Sequence, residues 1–362
     1  MSAPEKKQKN GSQAVDSAAV VRILDAAINR SCEGLRVVED YCRMVLEDRF
    51  LSQELKKLRH DLVDTCREFD SRSRLLARDS ELDVGRAIQT DAEYSREDLE
   101  SILRANMTRV QQAARTIEEY SKTLAPEIAK GVEQIRYRAY TIEKAVFQTA
   151  FNRARFAEAK LYVLVDACGE TRGFEKLRSL VSSLVEAKVD LIQLRDKRLS
   201  DRELVAAGKS IAELTAASET SFVMNDRADL CVASGADGVH LGQADLSVHQ
   251  ARLLLRSHQF IGVSTHSLDQ ARQAVIDGAD YIGVGPVFQS QTKSFDAHVG
   301  VELVAAVTSE IALPAFAIGG IDLSNVEGVI ESGCHRAAVS SAVCQSDDPS
   351  AAARELLCRL QG

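Results

Sequence analysis

Between residues 160 and 345 the chain repeats one pattern eight times: a short apolar run that reads as a strand, then a stretch that reads as an amphipathic helix. The runs fall at 161–166, 191–195, 222–225, 238–241, 261–264, 281–284, 315–318 and 337–341, with helical stretches such as 174–187, 201–217, 268–277 and 324–332 between them. Strands that are apolar throughout belong in a parallel sheet covered by helices. Eight such units in about 200 residues fit a closed (β/α)8 barrel better than an open doubly wound sheet, which usually has fewer strands. A dinucleotide fold is disfavoured further, because no G-x-G-x-x-G follows the first strand; Cys168-Gly-Glu-Thr does.

The barrel accounts for only part of the 362 residues. From about 18 to 157 glycine is scarce and apolar residues recur every three or four positions, as in Leu35, Val38, Tyr41, Cys42 and Val45. Helices are expected over about 18–48, 50–77, 95–123 and 126–157, with a charged connection around 79–91. This half is internally duplicated. Arg36-Val-Val-Glu-Asp-Tyr41 matches Arg115-Thr-Ile-Glu-Glu-Tyr120 at an offset of 79, Arg30 matches Arg109, and Leu58-Arg59 resembles Ile135-Arg136 at an offset of 77. Two related helical hairpins would pack as a four-helix bundle. The repeated Arg, acid and Tyr read either as a paired ligand site or, the favoured reading, as Arg–Glu pairing along a helix face, worth about a few tenths of a kcal/mol per pair. The expected division is a disordered polar tail (1–17), an all-α domain whose role the sequence leaves open (18–157), and the barrel (158–362).

Charge and cysteine usage remove several function classes. With 45 Lys+Arg against 53 Asp+Glu the net charge is −8, which argues against a nucleic-acid partner while allowing a local basic pocket. No apolar run approaches the roughly 20 residues of a membrane span. The first dozen residues have no apolar core of a signal peptide, so no membrane partner and a cytoplasmic location are expected. The eight cysteines form no C-x-x-C pair and read as reduced thiols. A homo-oligomer is compatible with the sequence, which does not fix the assembly.

In a (β/α)8 barrel the chemistry sits at the C-terminal ends of the strands. The second strand runs into Gln193-Leu-Arg-Asp-Lys197, where alternation points Gln193, Arg195 and Lys197 one way and Leu194 the other. One amide and two cations at the mouth suit an anionic ligand carrying a polar heterocycle. Asn225-Asp226 and His240-Leu-Gly-Gln-Ala-Asp245 follow strands three and four. Each aspartate could cap the next helix, but the pair together favours Mg2+, which takes one or two carboxylates and completes its shell with water and phosphate oxygens. Ser264-Thr-His266 follows strand five, with His266 open to a general-base, supporting or capping role. The sixth strand leads into a long polar loop ending Ser290-Gln-Thr292-Lys293, fit to close over a phosphorylated ligand. Ile318-Gly319-Gly320-Ile321 and Val339-Ser340-Ser341 follow strands seven and eight, where barrels of this kind recurrently bind phosphate through backbone N–H groups. Two anion sites across one mouth imply group transfer, with pyrophosphate leaving.

These segments, LYVLVD, QLRDK, ND, DGVHLGQAD, GVSTH, the TK loop, IGGI and VSSA, resemble thiamine-phosphate synthase (thiamine-phosphate pyrophosphorylase) over roughly 160–345. The resemblance implies a TIM barrel that joins 4-amino-2-methyl-5-hydroxymethylpyrimidine diphosphate to 4-methyl-5-hydroxyethylthiazole phosphate, giving thiamine monophosphate and pyrophosphate with Mg2+ as cofactor. Carried onto this chain, it places Gln193, Leu194, Arg195, Asp196, Lys197, Asn225, Ser264 and Lys293 on the pyrimidine diphosphate, with Arg195, Lys197, Ser264 and Lys293 as catalytic groups. It places Asp226 and Asp245 on the metal, and Ser290, Gln291, Thr292, Gly320, Ser340 and Ser341 on the thiazole phosphate. The family usually has Thr-x-Thr-Lys where this chain has Ser290-Gln-Thr-Lys293; the retained hydroxyl implies a modest effect on thiazole affinity. The helical half lies outside the core pattern and looks like an extension found in some members. A thiazole-tautomerase-like barrel is disfavoured by the aspartates and the Arg/Lys cluster, and a non-catalytic sensor by the intact pyrophosphate site.

Overall fold

The computed structural model describes residues 6–78, 95–167, 173–289 and 299–361. The chain divides into two compact units, Met1–Phe147 and Gln148–Gly362.

The first unit is helical: α1 Lys6–Met44, α2 Arg49–Thr65, α3 Ser71–Leu76, α4 Leu99–Ser121 and α5 Pro126–Arg155, the last continuing past the division. Two expectations change here. Helix α1 begins at Lys6, inside the stretch expected to be a disordered tail. The helix expected over 50–77 is two, because Asp70 accepts a hydrogen bond from the Ser73 backbone N–H and starts a new helix after the turn at Cys66. The charged connection around 79–91 lies outside the described residues.

Duplication is visible in the packing. Ser31 Oγ donates to the carbonyl of Val110, its own counterpart at the 79-residue offset, at 3.4 Å. There α1 and α4 cross so closely that a Cβ on Gly34 would stand 2.8 Å from Val110 Cγ2. Arg36–Glu39 (3.2 Å) and Arg115–Glu118 (2.6 Å) pair along their helices as expected. The same buried carboxylates also take Arg59 and Arg136 from the following helix, at 3.4 and 3.0 Å. The repeat therefore encodes two matched cross-helix ion pairs.

The second unit is a closed barrel of eight parallel strands in sequence order: β1 Leu161–Val165, β2 Leu191–Leu194, β3 Ser221–Asn225, β4 Gly238–Leu241, β5 Phe260–Thr265, β6 Tyr281–Val284, β7 Ala315–Ile318 and β8 Ala337–Val339. Around it lie α6 Gly173–Glu186, α7 Asp201–Thr215, α8 Ala228–Ser234, α9 Val248–Leu254, α10 Leu268–Asp277, α11 Gly300–Thr308, α12 Val326–Glu331, α13 Ser341–Cys344 and α14 Pro349–Gln361.

Alternation along the strands sends Tyr162, Leu191, Val223, Phe260, Tyr281, Phe316 and Ala338 into one interior cluster, which Phe156 joins. Glycines make room for the rings. A Cβ on Gly262 would lie 2.1 Å from the Tyr281 ring, and one on Gly238 would lie 2.4 Å from Phe260. Gly262→Ala is therefore expected to destabilise the barrel by about 1–3 kcal/mol, the usual cost of overpacking, seen as a lower melting temperature by calorimetry. An unchanged transition would mean that the Tyr281 ring has space to retreat. This packed floor closes the barrel interior and leaves the residues one layer higher facing a cavity.

Candidate active site

A cavity of about 440 Å³ opens where the strands end. Of the residues singled out from the sequence, Gln193, Arg195, Lys197, Asn225, Asp226, Asp245, Ser264, His266, Gly320, Ser340 and Ser341 all line it. Leu194 and Asp196 do not. Leu194 is fully buried on the opposite side of β2, as period-two alternation requires. The Asp196 carboxylate turns inward to accept the backbone N–H groups of Ala167 (3.1 Å) and Arg198 (2.8 Å), so it holds two loops together. Ser290, Gln291, Thr292 and Lys293 lie outside the described residues.

The two aspartates are not helix caps. Ser247, with Gln250, caps α9, while Asp245 accepts the N–H of Gly242 at 2.7 Å. The residue before α8 is Arg227, and Asp226 stands ahead of it at φ +61°, a left-handed conformation that glycine adopts freely and that, among other residues, asparagine and aspartate favour most. Burial first, then the neighbouring Asp245 carboxyl, raise the Asp226 carboxyl above its ordinary range, and Lys197, 3.9 Å away, offsets part of this. A buried carboxyl raised by a second carboxyl beside it suits a cation. No group of three or more His, Cys, Asp or Glu among the described residues could hold a metal. Mg2+ fits such a sparse donor set, because it retains water and phosphate oxygens as ligands.

Below the carboxylates runs a buried polar chain. Gln193 Nε2 donates to the Tyr162 hydroxyl, which lies 2.9 Å from the Tyr281 hydroxyl. That hydroxyl is 3.0 Å from His240 Nδ1, and His240 Nε2 is 2.9 Å from Ser264 Oγ. Burial, with a smaller contribution from Arg195, lowers the His240 pKa from 6.5 to about 4. Above pH 6.5 the imidazole is neutral folded or unfolded. Between 6.5 and 4 only the unfolded chain gains the proton, so stability is lost across that window as pH falls. The loss is on the order of 3 kcal/mol. His240→Gln should remove this share, compared by denaturant unfolding at pH 7 and pH 4.5. An equal pH slope in both proteins would assign the effect elsewhere.

On the opposite side of the mouth the loops after β6 and β7 are joined main chain to main chain. Val287 N–H donates to Ile318 O and Phe288 N–H to Gly319 O, each at 2.9 Å. Gly320 adopts φ +64°, and a Cβ there would lie 2.3 Å from Gln289 O, so only glycine allows this approach. Ser340 Oγ donates to Leu164 O at 3.0 Å, fixing the start of the loop after β8. The result is a neutral wall of small residues facing one that carries both cations and carboxylates.

A family model described as thiamine monophosphate synthase matches residues 161–343, and one described as the ThiD2 family matches 22–145. A thiamine-phosphate synthase of Rhodopirellula baltica is 44% identical, covering 92% of this chain and 90% of its own. One of a Synechocystis species is 38% identical, covering 96% and 98%. This chain belongs to the thiamine-phosphate synthase family. Among solved structures, thiamine phosphate pyrophosphorylase from Pyrococcus furiosus matches with a TM-score of 0.50 and 31% identity, over 57% of this chain and 98% of that one. In this family member, then, the helical first unit carries its own family match. No helix among the described residues is long and apolar enough to cross a membrane.

Sequence reasoning left several lining residues of this synthase without a role: Tyr162, Asp166, His240 and Gln243. His240 could have been found by carrying the β4 alternation from Gly238, since both face inward. Asp166 stands at the first strand's end, 3.6 Å from Arg198. Gln243 donates to the Ser264 carbonyl at 2.6 Å, a contact between the loop after β4 and the end of β5 that no local pattern encodes. His266 Nδ1 donates to Gly285 O at 2.5 Å, which ties the β5 end to the loop after β6.

Proposed function

We propose that this thiamine-phosphate synthase joins 4-amino-2-methyl-5-hydroxymethylpyrimidine diphosphate to 4-methyl-5-hydroxyethylthiazole phosphate at the barrel mouth, with pyrophosphate as leaving group. The observation that carries the reading is one cavity with two unlike walls, Arg195, Lys197, Asp226 and Asp245 on one side and Gly320, Ser340 and Ser341 on the other.

In this reading Gln193 and Asn225 orient the aminopyrimidine, and Arg195, Lys197, Lys293 and Ser264 hold its diphosphate. Asp226 and Asp245 hold Mg2+, which when bound supplies positive charge to the departing pyrophosphate. The bond between the pyrimidine methylene carbon and the diphosphate oxygen breaks with its electron pair leaving on that oxygen. Arg195 and Lys197 stabilise the charge that develops there. The electron-rich aminopyrimidine carries the transient benzylic-type cation, and the thiazole nitrogen's lone pair closes the new C–N bond. Ser290, Gln291, Thr292, Gly320, Ser340 and Ser341 fix the thiazole phosphate at bonding distance. No enzymic nucleophile is required; positioning and charge stabilisation suffice. The setting is the cytoplasm, with no nucleic-acid or membrane partner. We assign no step to the helical unit.

The test is to mix both phosphates and Mg2+ with the purified protein and assay thiamine monophosphate and pyrophosphate, expected in equal amounts. Binding of both phosphates without turnover would favour a sensor instead.

A further inference from the structure

We propose that Tyr162, Tyr281 and His240 are positioning residues that set the hydrogen-bond polarity of the site, so that Gln193 offers the cavity a carbonyl and Ser264 a hydroxyl proton. The inference rests on the reading that Gln193 faces the pyrimidine.

Gln193 gives an amide N–H to the Tyr162 oxygen. A phenol has one proton, and that of Tyr162 has the Tyr281 oxygen 2.9 Å away as its acceptor. Tyr281, having accepted, gives its own proton to His240 Nδ1 at 3.0 Å. A neutral imidazole that accepts at Nδ1 must carry its hydrogen on Nε2, which lies 2.9 Å from Ser264 Oγ. Ser264 accepts there and keeps its own proton for the cavity. No link can reverse alone, because reversing one would leave two donors or two lone pairs facing each other. Gln193, Tyr162, Tyr281 and His240 are all buried, so water is not at hand to repair a mismatch.

The consequence is a recognition rule. With one N–H given to Tyr162 the amide cannot turn over, so Gln193 keeps its carbonyl oxygen on the side away from Tyr162, where it suits the exocyclic amine of an aminopyrimidine and disfavours an oxygen at the same ring position. The chain thus distinguishes a 4-amino from a 4-oxo pyrimidine diphosphate through residues that need not touch either one.

Two measurements on the full chain decide it. Nitrogen-15 NMR of the imidazoles at pH 7, with the His240 signal assigned by its loss in His240→Gln, should show the Nε2–H form. The Nδ1–H form would overturn the proposal, since the chain would then run the other way. Calorimetric binding, with Mg2+ present, compares the 4-amino and 4-oxo pyrimidine diphosphates. The wild-type protein should prefer the amine by about 10- to 100-fold, the range for one mismatched buried partner. Tyr162→Phe keeps the ring and frees the Gln193 amide to turn over, so most of that preference should vanish. An unchanged preference in Tyr162→Phe would sink the idea even while wild-type turnover upholds the synthase reading. Should that variant fail to fold, the His240 tautomer still decides.

Discussion

Asp226→Asn is expected to slow formation of thiamine monophosphate by roughly 100-fold at saturating substrates, because a metal contact worth about 3 kcal/mol in the transition state is weakened. Its rate should also respond less to added Mg2+. The substitution isolates charge from shape. Asparagine has nearly the same volume, and it tolerates positive φ better than most residues, so the +61° backbone at this position adds no new strain. Stability should move the other way. The Asp226 carboxyl is pushed above its ordinary range by burial and by Asp245, so a neutral amide there relieves repulsion in the metal-free protein. A variant that is folded at least as stably as the wild type, yet nearly inactive, is the expected pair of results. Near-normal turnover with an unaltered Mg2+ titration would move the metal away from this pair.

The sequence was informative where one local rule governs placement. Period-two alternation separates Gln193, Arg195 and Lys197 from Leu194, and the observed cavity keeps that separation. Eight apolar runs imply eight strands, and the barrel closes with them in order. Alternation also puts Asp196 on the side of Leu194, and it was the resemblance that set both on the diphosphate; the Asp196 carboxylate instead accepts the main-chain N–H groups of Ala167 and Arg198, because a motif shows the residue type but not its partners. Asp226 and Asp245 stayed ambiguous in sequence because a carboxylate after a strand can cap a helix or face a ligand, and only the N-cap at Ser247 and the turn at Asp226 separate the two. Least legible was the chain below the cavity. Tyr162 meets Tyr281 across 119 positions, and Tyr281 meets His240 across 41. Such pairings arise from closing the barrel and leave no periodic trace.

A barrel fragment cut at residue 158 is expected to be far less stable than one cut at residue 148. The segment between them completes the underside of the barrel. Phe156 is buried within the interior cluster, its ring 5.4 Å from Phe260 and 5.6 Å from Tyr281. Its carbonyl accepts from Arg336 at 3.1 Å. Gln148 and Asn152 donate to one oxygen of Asp280 at 2.6 and 2.9 Å, while the other oxygen takes the Ile261 N–H at 2.6 Å and Arg252. Asp280 is almost fully buried, so removing Gln148 and Asn152 leaves one of its oxygens without donors while Arg252 and the Ile261 N–H still hold the other. Losing a buried phenyl ring alone costs about 3–5 kcal/mol, and each lost hydrogen bond to a charged group adds about 1.5–3 kcal/mol. Against a net stability of about 5–15 kcal/mol for a typical domain, that sum can consume the whole margin. Near-ultraviolet circular dichroism and thermal melts of the two fragments should show a cooperative transition for 148–362 and a weak or absent one for 158–362, with Phe156→Ala in the longer fragment falling between them. If the shorter fragment melts at the same temperature as the longer one, the Phe156 ring and the Asp280 hydrogen bonds contribute far less than their burial implies.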